Sequence, residues 1–517
     1  MNILKRKKLS LLLALILVVS SLAACGKSDT ASQAPNAGQN ASQDGEKSGK
    51  NGTIRIGQTW VIGALDPTDS SVPWGLTSHG VSEGFYMLDE NGHLYSRFIK
   101  ELKQTSDTSW DAILNEDVKF SDGSAVDAKA LSDAMNAIQE KNELSNATVG
   151  KITFTPKGDY ELEIKSERPT MTMDSVLAEW TNVVFKQDGD KFIFTGPYMV
   201  ASMEPENKIE LTPNPYYPDA DKRQDVELRA FKDVTALKLA FESGDIDMAF
   251  TVTPDVAELL KKDGKMVKSI PAGYQYFGMC NLKDGALKDP KVREALNYGL
   301  NRQDYLDVLK GGKIETGLFA SYYDFAGKEK LTYDKEKAMK ILEEAGYKKN
   351  KDNIYEKDGK PLNIRLVTYT SRPDLGLIVQ VMTSQLKDMG IKAESQVVDD
   401  IDQFKKSGQF DLMVYAQHTA PTGEPSFFLN QFFRTNEPNN TMGYSNPKVD
   451  KLLDQFGSEK DQAKRNEIAQ EIQHIIYEDA PVLFLVDPEW HIAVSDKLKD
   501  YEPYGGDYYI VNAKLGL

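Results

Sequence analysis

From Thr53 onward the chain switches repeatedly between period-two runs and helical repeats, which confines it to layered α/β architectures. Thr53-Ile54-Arg55-Ile56-Gly57 alternates as a strand does. Ile152–Phe154 and Tyr160–Ile164, joined across Pro156-Lys157-Gly158-Asp159, form a predicted antiparallel hairpin. Asp289-Pro290 opens a helix with Val292, Ala295, Leu296 and Leu300 on one face. A second helix carries Leu375, Ile378, Val381, Met382 and Leu386 to a stop at Gly390, before a strand over Ile391–Val398. Ile468, Ile472, Ile475 and Ile476 line a helix ending at Ala480-Pro481, and Val482–Val486 reads as a buried strand.

Charge and cysteine content narrow the function. The 62 Lys and Arg stand against 78 Asp and Glu, a formal charge of -16, so no nucleic acid is expected as partner. The two cysteines, Cys25 and Cys280, are too few and too far apart for a disulfide scaffold or a cysteine zinc finger. Catalytic signatures are missing as well: no G-x-S-x-G, H-E-x-x-H or Walker A loop occurs. Asp245 and Asp247 read as a turn, and an enzyme is not expected.

The first 52 residues are of another kind. Lys5-Arg6-Lys7-Lys8, the apolar stretch Leu9–Val19 and Leu22-Ala23-Ala24-Cys25 make a secretory signal over residues 1–24. The ending looks like a bacterial lipobox, which implies a lipidated Cys25 as the mature N-terminus. Residues 26–52 contain no Val, Ile, Leu, Met or aromatic residue, so 25–52 reads as a lipidated cysteine and flexible linker. The expected location is extracytoplasmic, anchored to the cell membrane by lipid.

A series of short blocks follows in order. These are Phe85–Gly92; Val118-Lys119-Phe120-Ser121-Asp122-Gly123; Thr195-Gly196-Pro197-Tyr198 with Asn214-Pro215-Tyr216-Tyr217; Ser243–Asp247; Asp289–Tyr298; and Gly443–Asp450. Together they resemble the solute-binding proteins, family 5, of bacterial ABC importers for dipeptides, oligopeptides or nickel chelates. The resemblance implies an α/β, two-lobed periplasmic-binding-protein-like fold (class II, cluster C type) with an extra domain inserted in the first lobe. Lobe I would comprise 53–90, 190–281 and 490–517, the inserted domain 91–189, and lobe II 282–489. A monomer would close on its ligand by hinge motion and deliver it to an ABC permease with its ATPase. A surface receptor or sensor lipoprotein without transport role is the alternative, and an extracellular hydrolase a weaker one.

Peptide-binding members carry an aspartate four residues before the proline of a Glu-Pro or Asp-Pro pair, where it meets the peptide's amino group. Here Pro421 stands at that position, before Glu424-Pro425. A proline cannot neutralise an ammonium, so Glu424 or another carboxylate has to substitute. Nickel-chelate binders share an Ala-Pro in this stretch, but where they carry a histidine farther on, Glu437 stands. Trp60, Trp74 and His79 in the first lobe and Tyr415 and His418 in the second complete the expected ligand-binding set. His79 and His418 could supply imidazoles to a metal or a metal chelate, with a surface or hydrogen-bonded role as the plainer reading of each. No resident cofactor is expected. Among other charged residues, Arg293 and Glu294 read as an ion pair, and His474 as packing beside an apolar stripe.

Overall fold

The computed structural model describes residues 52–89, 92–504 and 506–517. The signal, Cys25 and the linker fall outside the described residues. Thr53–Gln58 runs parallel to Asp225–Ala230 on one side and Met248–Val252 on the other, at the middle of a seven-stranded sheet. Tyr198–Glu204 and Lys208–Pro213 extend one side of it; Glu489–Val494 and Met266–Pro271 extend the other. A second sheet of six strands contains, in order, Lys313–Ile314, Val482–Asp487, Tyr274–Cys280, Leu412–His418, Asn363–Tyr369 and Lys392–Val398. Tyr274–Cys280 is buried at every position, because helices and strands cover both of its faces.

Between the early strands of the first sheet, a four-stranded antiparallel sheet carries Ile99–Ser106, Ser109–Leu114, Glu161–Ser166 and Ile152–Gly158, with the helix Ala128–Lys141 packed on it. Asp127 caps that helix by accepting from the Ala130 N–H at 2.8 Å. Two crossovers link the main sheets. The chain leaves the first sheet after Pro271 and returns through Pro488 to Glu489–Val494. Cys280 therefore sits within the second sheet, and the first crossover comes ten residues or so before the sequence boundary at 281, where a strand buried at every position hides it. Gly273 makes this crossover possible. Its φ of +70° is unfavourable for other residues, and a Cβ there would lie 2.8 Å from His418 Nε2.

Local signals placed most elements correctly. The helix Pro290–Gly299 starts on Asp289, which accepts from the Lys291 N–H, and Pro373–Met389 stops at Gly390 with φ +84°. Two charged residues behave differently from expectation. Arg293 is buried and donates to the carbonyls of Leu287, Lys288 and Asp479, while Glu294 pairs with Lys291 at 2.7 Å. The guanidinium closes helix ends and loops that the sequence does not show as neighbours. His474 is exposed rather than packed, and meets Glu329 at 2.8 Å.

Candidate ligand cleft

The two main sheets and the inserted domain meet around a cavity of about 160 Å³. On the first wall, the helix Val72–Ser78, with Pro73 in its first turn, presents Trp74 to the cavity. Trp74 stacks on Trp60 with ring centroids 4.2 Å apart, and Trp60 leans on His79 at 4.9 Å. His79 has no exposed surface, and its nearest polar neighbour is Gln58, Nε2 to Nε2 at 3.5 Å. Burial pushes its pKa down to about 3, so the imidazole is neutral. It supports the tryptophan pair from behind and does not line the cavity.

The second wall comes from three elements. Leu412–His418 contributes Tyr415, and Ser426–Phe433 contributes Phe427, Gln431 and Phe432. The helix Ile401–Ser407, capped by Asp400, brings Asp402 and Lys405 onto one face at a spacing of three. Lys405 is 7% exposed, with Nζ 2.8 Å from Asp402 Oδ1 and 3.2 Å from Tyr415 Oη. Burial alone would lower its pKa; the Tyr415 phenol and the Asp402 carboxylate outweigh burial and hold it above the ordinary lysine value.

At the floor, Arg372 just before Pro373–Met389 meets Asp507 of the C-terminal segment at 2.5 Å. Asp507 also accepts from Tyr274 Oη at 2.6 Å, and the guanidinium lies over the rings of Tyr274 and Trp490 at 5.1 and 5.0 Å. The C-terminal segment is itself fixed to the first wall, where the Val511 N–H donates to Ser78 O at 2.9 Å. The walls also touch through Thr59 Oγ1 donating to Ser371 O at 3.1 Å, Ser175 Oγ donating to Thr422 Oγ1 at 2.8 Å, and Arg168 against Glu437 at 3.2 Å. This is a closed cleft.

Of the sequence candidates, Trp74 and Tyr415 line the cavity, and Trp60 supports it by stacking. His418 is buried between Tyr274 and Tyr508, each at 5.3 Å, and those two rings face the cavity in its place. Glu424 pairs with Arg465 at 2.7 Å, outside the lining. Burial raises its pKa and Arg465 opposes that rise. The carboxylate at the cavity is Asp402. The two histidines sit in separate ring clusters, and among the described residues no group of three or more His, Cys, Asp and Glu is placed to hold a metal ion. Sequence reasoning missed Arg372, Asp402, Lys405, Trp180, Tyr369 and Tyr508. Only the aromatic run Tyr501–Tyr509 carried a visible signal, since its ring density exceeds what a plain terminal tail needs.

Comparison with known proteins decides the family. The description "Bacterial extracellular solute-binding proteins, family 5 Middle" matches residues 94–440. The chain belongs to this family. Its members are binding proteins, which agrees with a cleft that encloses a cavity between two lobes. Among similar proteins, the nickel-binding protein NikA of Staphylococcus aureus is 24% identical over 459 residues, covering 87% of this chain and 91% of that protein. The oligopeptide-binding protein AppA of Bacillus subtilis is 26% identical over an alignment of 541 positions, covering 96% and 97%. In structure, Staphylococcus aureus NikA in complex with Ni(L-His)2 superposes with a TM-score of 0.81 at 23% identity, over 89% of this chain and 98% of that one. AppA in complex with a nonapeptide gives 0.76 at 20% identity, again over 89% and 98%. These structural matches show the shared two-lobed fold.

Proposed function

We propose that this protein is the extracytoplasmic receptor of an ABC importer, taking up a small peptide or a metal chelate of amino acids and handing it to the permease without chemical change. The observation that carries the reading is the ring-lined cavity between the lobes, bordered by one lysine and one arginine that each hold a carboxylate. Trp74, Tyr369 and Tyr415 offer flat apolar faces. The Lys405 ammonium has three protons, of which Asp402 and Tyr415 engage two, and the third is available to a ligand oxygen. Any metal would arrive already chelated, as cargo. NikA and AppA, relatives that bind nickel and oligopeptides, support both ligand classes.

Thermal unfolding of the mature protein with short peptides, and with nickel plus L-histidine, tests this. A ligand at about a hundred times its Kd stabilises the fold by roughly 2.7 kcal/mol. At least one of the two classes is expected to raise the melting temperature, with no hydrolysis products by mass spectrometry. Trp74→Ala and Lys405→Ala should each weaken that ligand at least tenfold. Product formation, or unchanged affinity in both variants, would sink the proposal. We further propose that Cys25 carries a lipid tether, on the strength of the lipobox-like ending. Cys25→Ala is expected to move the protein from the membrane fraction to the soluble fraction; retention in the membrane would refute the tether.

A further inference from the structure

A second cavity, of about 210 Å³, lies apart from the ligand cleft and shares no lining residue with it. The helix Ser426–Phe433 divides the two. Phe427, Gln431 and Phe432 line the cleft, whereas Ser426, Asn430 and Arg434, the residue after the helix, recur every four positions along a neighbouring stripe and line the second cavity. The opposite wall belongs to the inserted domain, where Arg168 follows the strand Glu161–Ser166. The cavity is therefore complete only while the inserted domain and the second lobe stay together.

Its walls carry an excess of positive charge. Arg168 and Arg434 come from opposite sides, and burial together with the facing Arg434 lowers the Arg168 pKa. Both guanidiniums stay charged all the same. Arg168 meets Glu437, outside the lining, at 3.2 Å, and Arg434 meets Asp454 at 2.9 Å. The Asp454 side chain is 65% exposed, so water and salt screen its charge, while that of Arg434 is 12% exposed. Donors remain over on both arginines. Arg168 Nε is buried without a partner among the described residues. Arg434 commits Nε to Asn430 and Nη1 to Asp454, which leaves Nη2 without a hydrogen bond to a described residue.

Two like charges from different domains, held toward each other with donors unused, suit a multiply charged anion that accepts from both. Thr170 and Ser426 add hydroxyls to the lining. A water needs on the order of 10–15 Å³ of such space, so a tetrahedral ion fits with several waters around it.

We propose that this cavity is an effector site for a tetrahedral oxyanion, phosphate or sulfate, which bridges Arg168 and Arg434 and thereby favours the closed form of the protein. The ion is not cargo. Because both walls hold it, closure tightens its binding, and its binding favours closure by the same factor. The assignment is independent of what the cleft takes up.

Equilibrium dialysis of the protein against labelled phosphate or labelled sulfate, with chloride keeping the ionic strength constant and no cargo present, tests the site. Saturable binding of at least one of the two ions is expected. Arg168 also donates to the carbonyls of Asn146 and Ala147, so Arg434 is the residue to replace. Arg434→Gln should weaken the ion at least tenfold. Asp454→Asn, which removes the competing carboxylate from an exposed position, should tighten it severalfold, an effect of opposite sign that misfolding cannot produce. Small-angle scattering is expected to give a smaller radius of gyration with the ion than with chloride alone, and no such change in Arg434→Gln. Absence of saturable binding, or an affinity that either variant leaves within twofold of the wild type, overturns the site. Binding at an unchanged radius of gyration overturns the effector role.

Discussion

Replacing Arg372 by methionine is expected to destabilise the protein by about 3–5 kcal/mol, the usual effect of removing one member of a buried ion pair. The reason lies with its partner. Asp507 has no exposed surface, and without the guanidinium only Tyr274 Oη remains to hold its charge. The methionine retains most of the side chain's length over the Tyr274 and Trp490 rings, so lost packing is the smaller part. Chemical denaturation of the protein measures the loss. Adding Asp507→Asn to Arg372→Met should restore most of it, because the orphaned charge is then gone. A double variant as unstable as the single one would show that packing, not charge, dominates. The same pair bridges the second lobe and the C-terminal segment held on the first. Small-angle scattering should therefore show a larger radius of gyration for the double variant, since it keeps the stability and loses the latch.

This pair also marks what a sequence can and cannot reveal. Arg372 and Asp507 lie 135 positions apart, and neither has a local pattern that announces the other. Helix ends, by contrast, are written locally. Asp127, Asp289 and Gly390 each act within a few residues of themselves, so a cap or a left-handed stop can be read without knowing the fold. The first crossover escaped because Tyr274–Cys280 looks the same whichever sheet it joins; only Gly273, pressed against His418, separates the two.

Residue chemistry misled where burial decided the outcome. In sequence His79 and His418 offer imidazoles able to reach a ligand, and both are packed among rings away from the lining. Glu424 offers a carboxylate close to the diagnostic proline, and Arg465 holds it. Asp402 and Lys405, three apart on an amphipathic helix, resemble any solvated surface pair in sequence; it is the Tyr415 ring beneath Lys405, at 4.8 Å, that makes them part of the cleft. Trp74 was legible through the family resemblance, which places it at the mouth of the first lobe, and it lines the cavity.

Stability should depend on pH in two opposed branches, set by His79 and Glu179. His79 in the fold titrates at about 3 against an ordinary 6.5, so as pH falls from 6.5 toward 3 the unfolded chain takes up a proton the fold refuses, and stability is lost. Glu179 behaves oppositely. It is 1% exposed, its Oε2 has no hydrogen-bond partner among the described residues, and burial pushes its pKa from 4.5 up to about 8. Between those values the fold keeps a proton the unfolded chain has released, so stability falls as pH rises from 4.5 to 8. Each branch is worth on the order of 5 kcal/mol over its full range. From 4.5 to 6.5 the two slopes cancel, from 6.5 to 8 Glu179 governs, and from 4.5 to 3 His79 adds to the protonation of paired carboxylates. Asp487, raised by burial from 3.8 to about 7, adds a further loss as pH rises across that range, so the cancellation is incomplete. Urea midpoints measured from pH 4 to 8.5 should thus decline as pH rises above about 5. Glu179→Gln removes a charge the fold never carries at neutral pH, and it should reduce the slope between 6.5 and 8 by about 1.4 kcal/mol per pH unit. If the variant keeps the wild-type slope, Glu179 is ionised in the fold and its burial is relieved by water. A flattened slope would mean that the carboxyl next to Trp180, a residue lining the cavity, stays protonated.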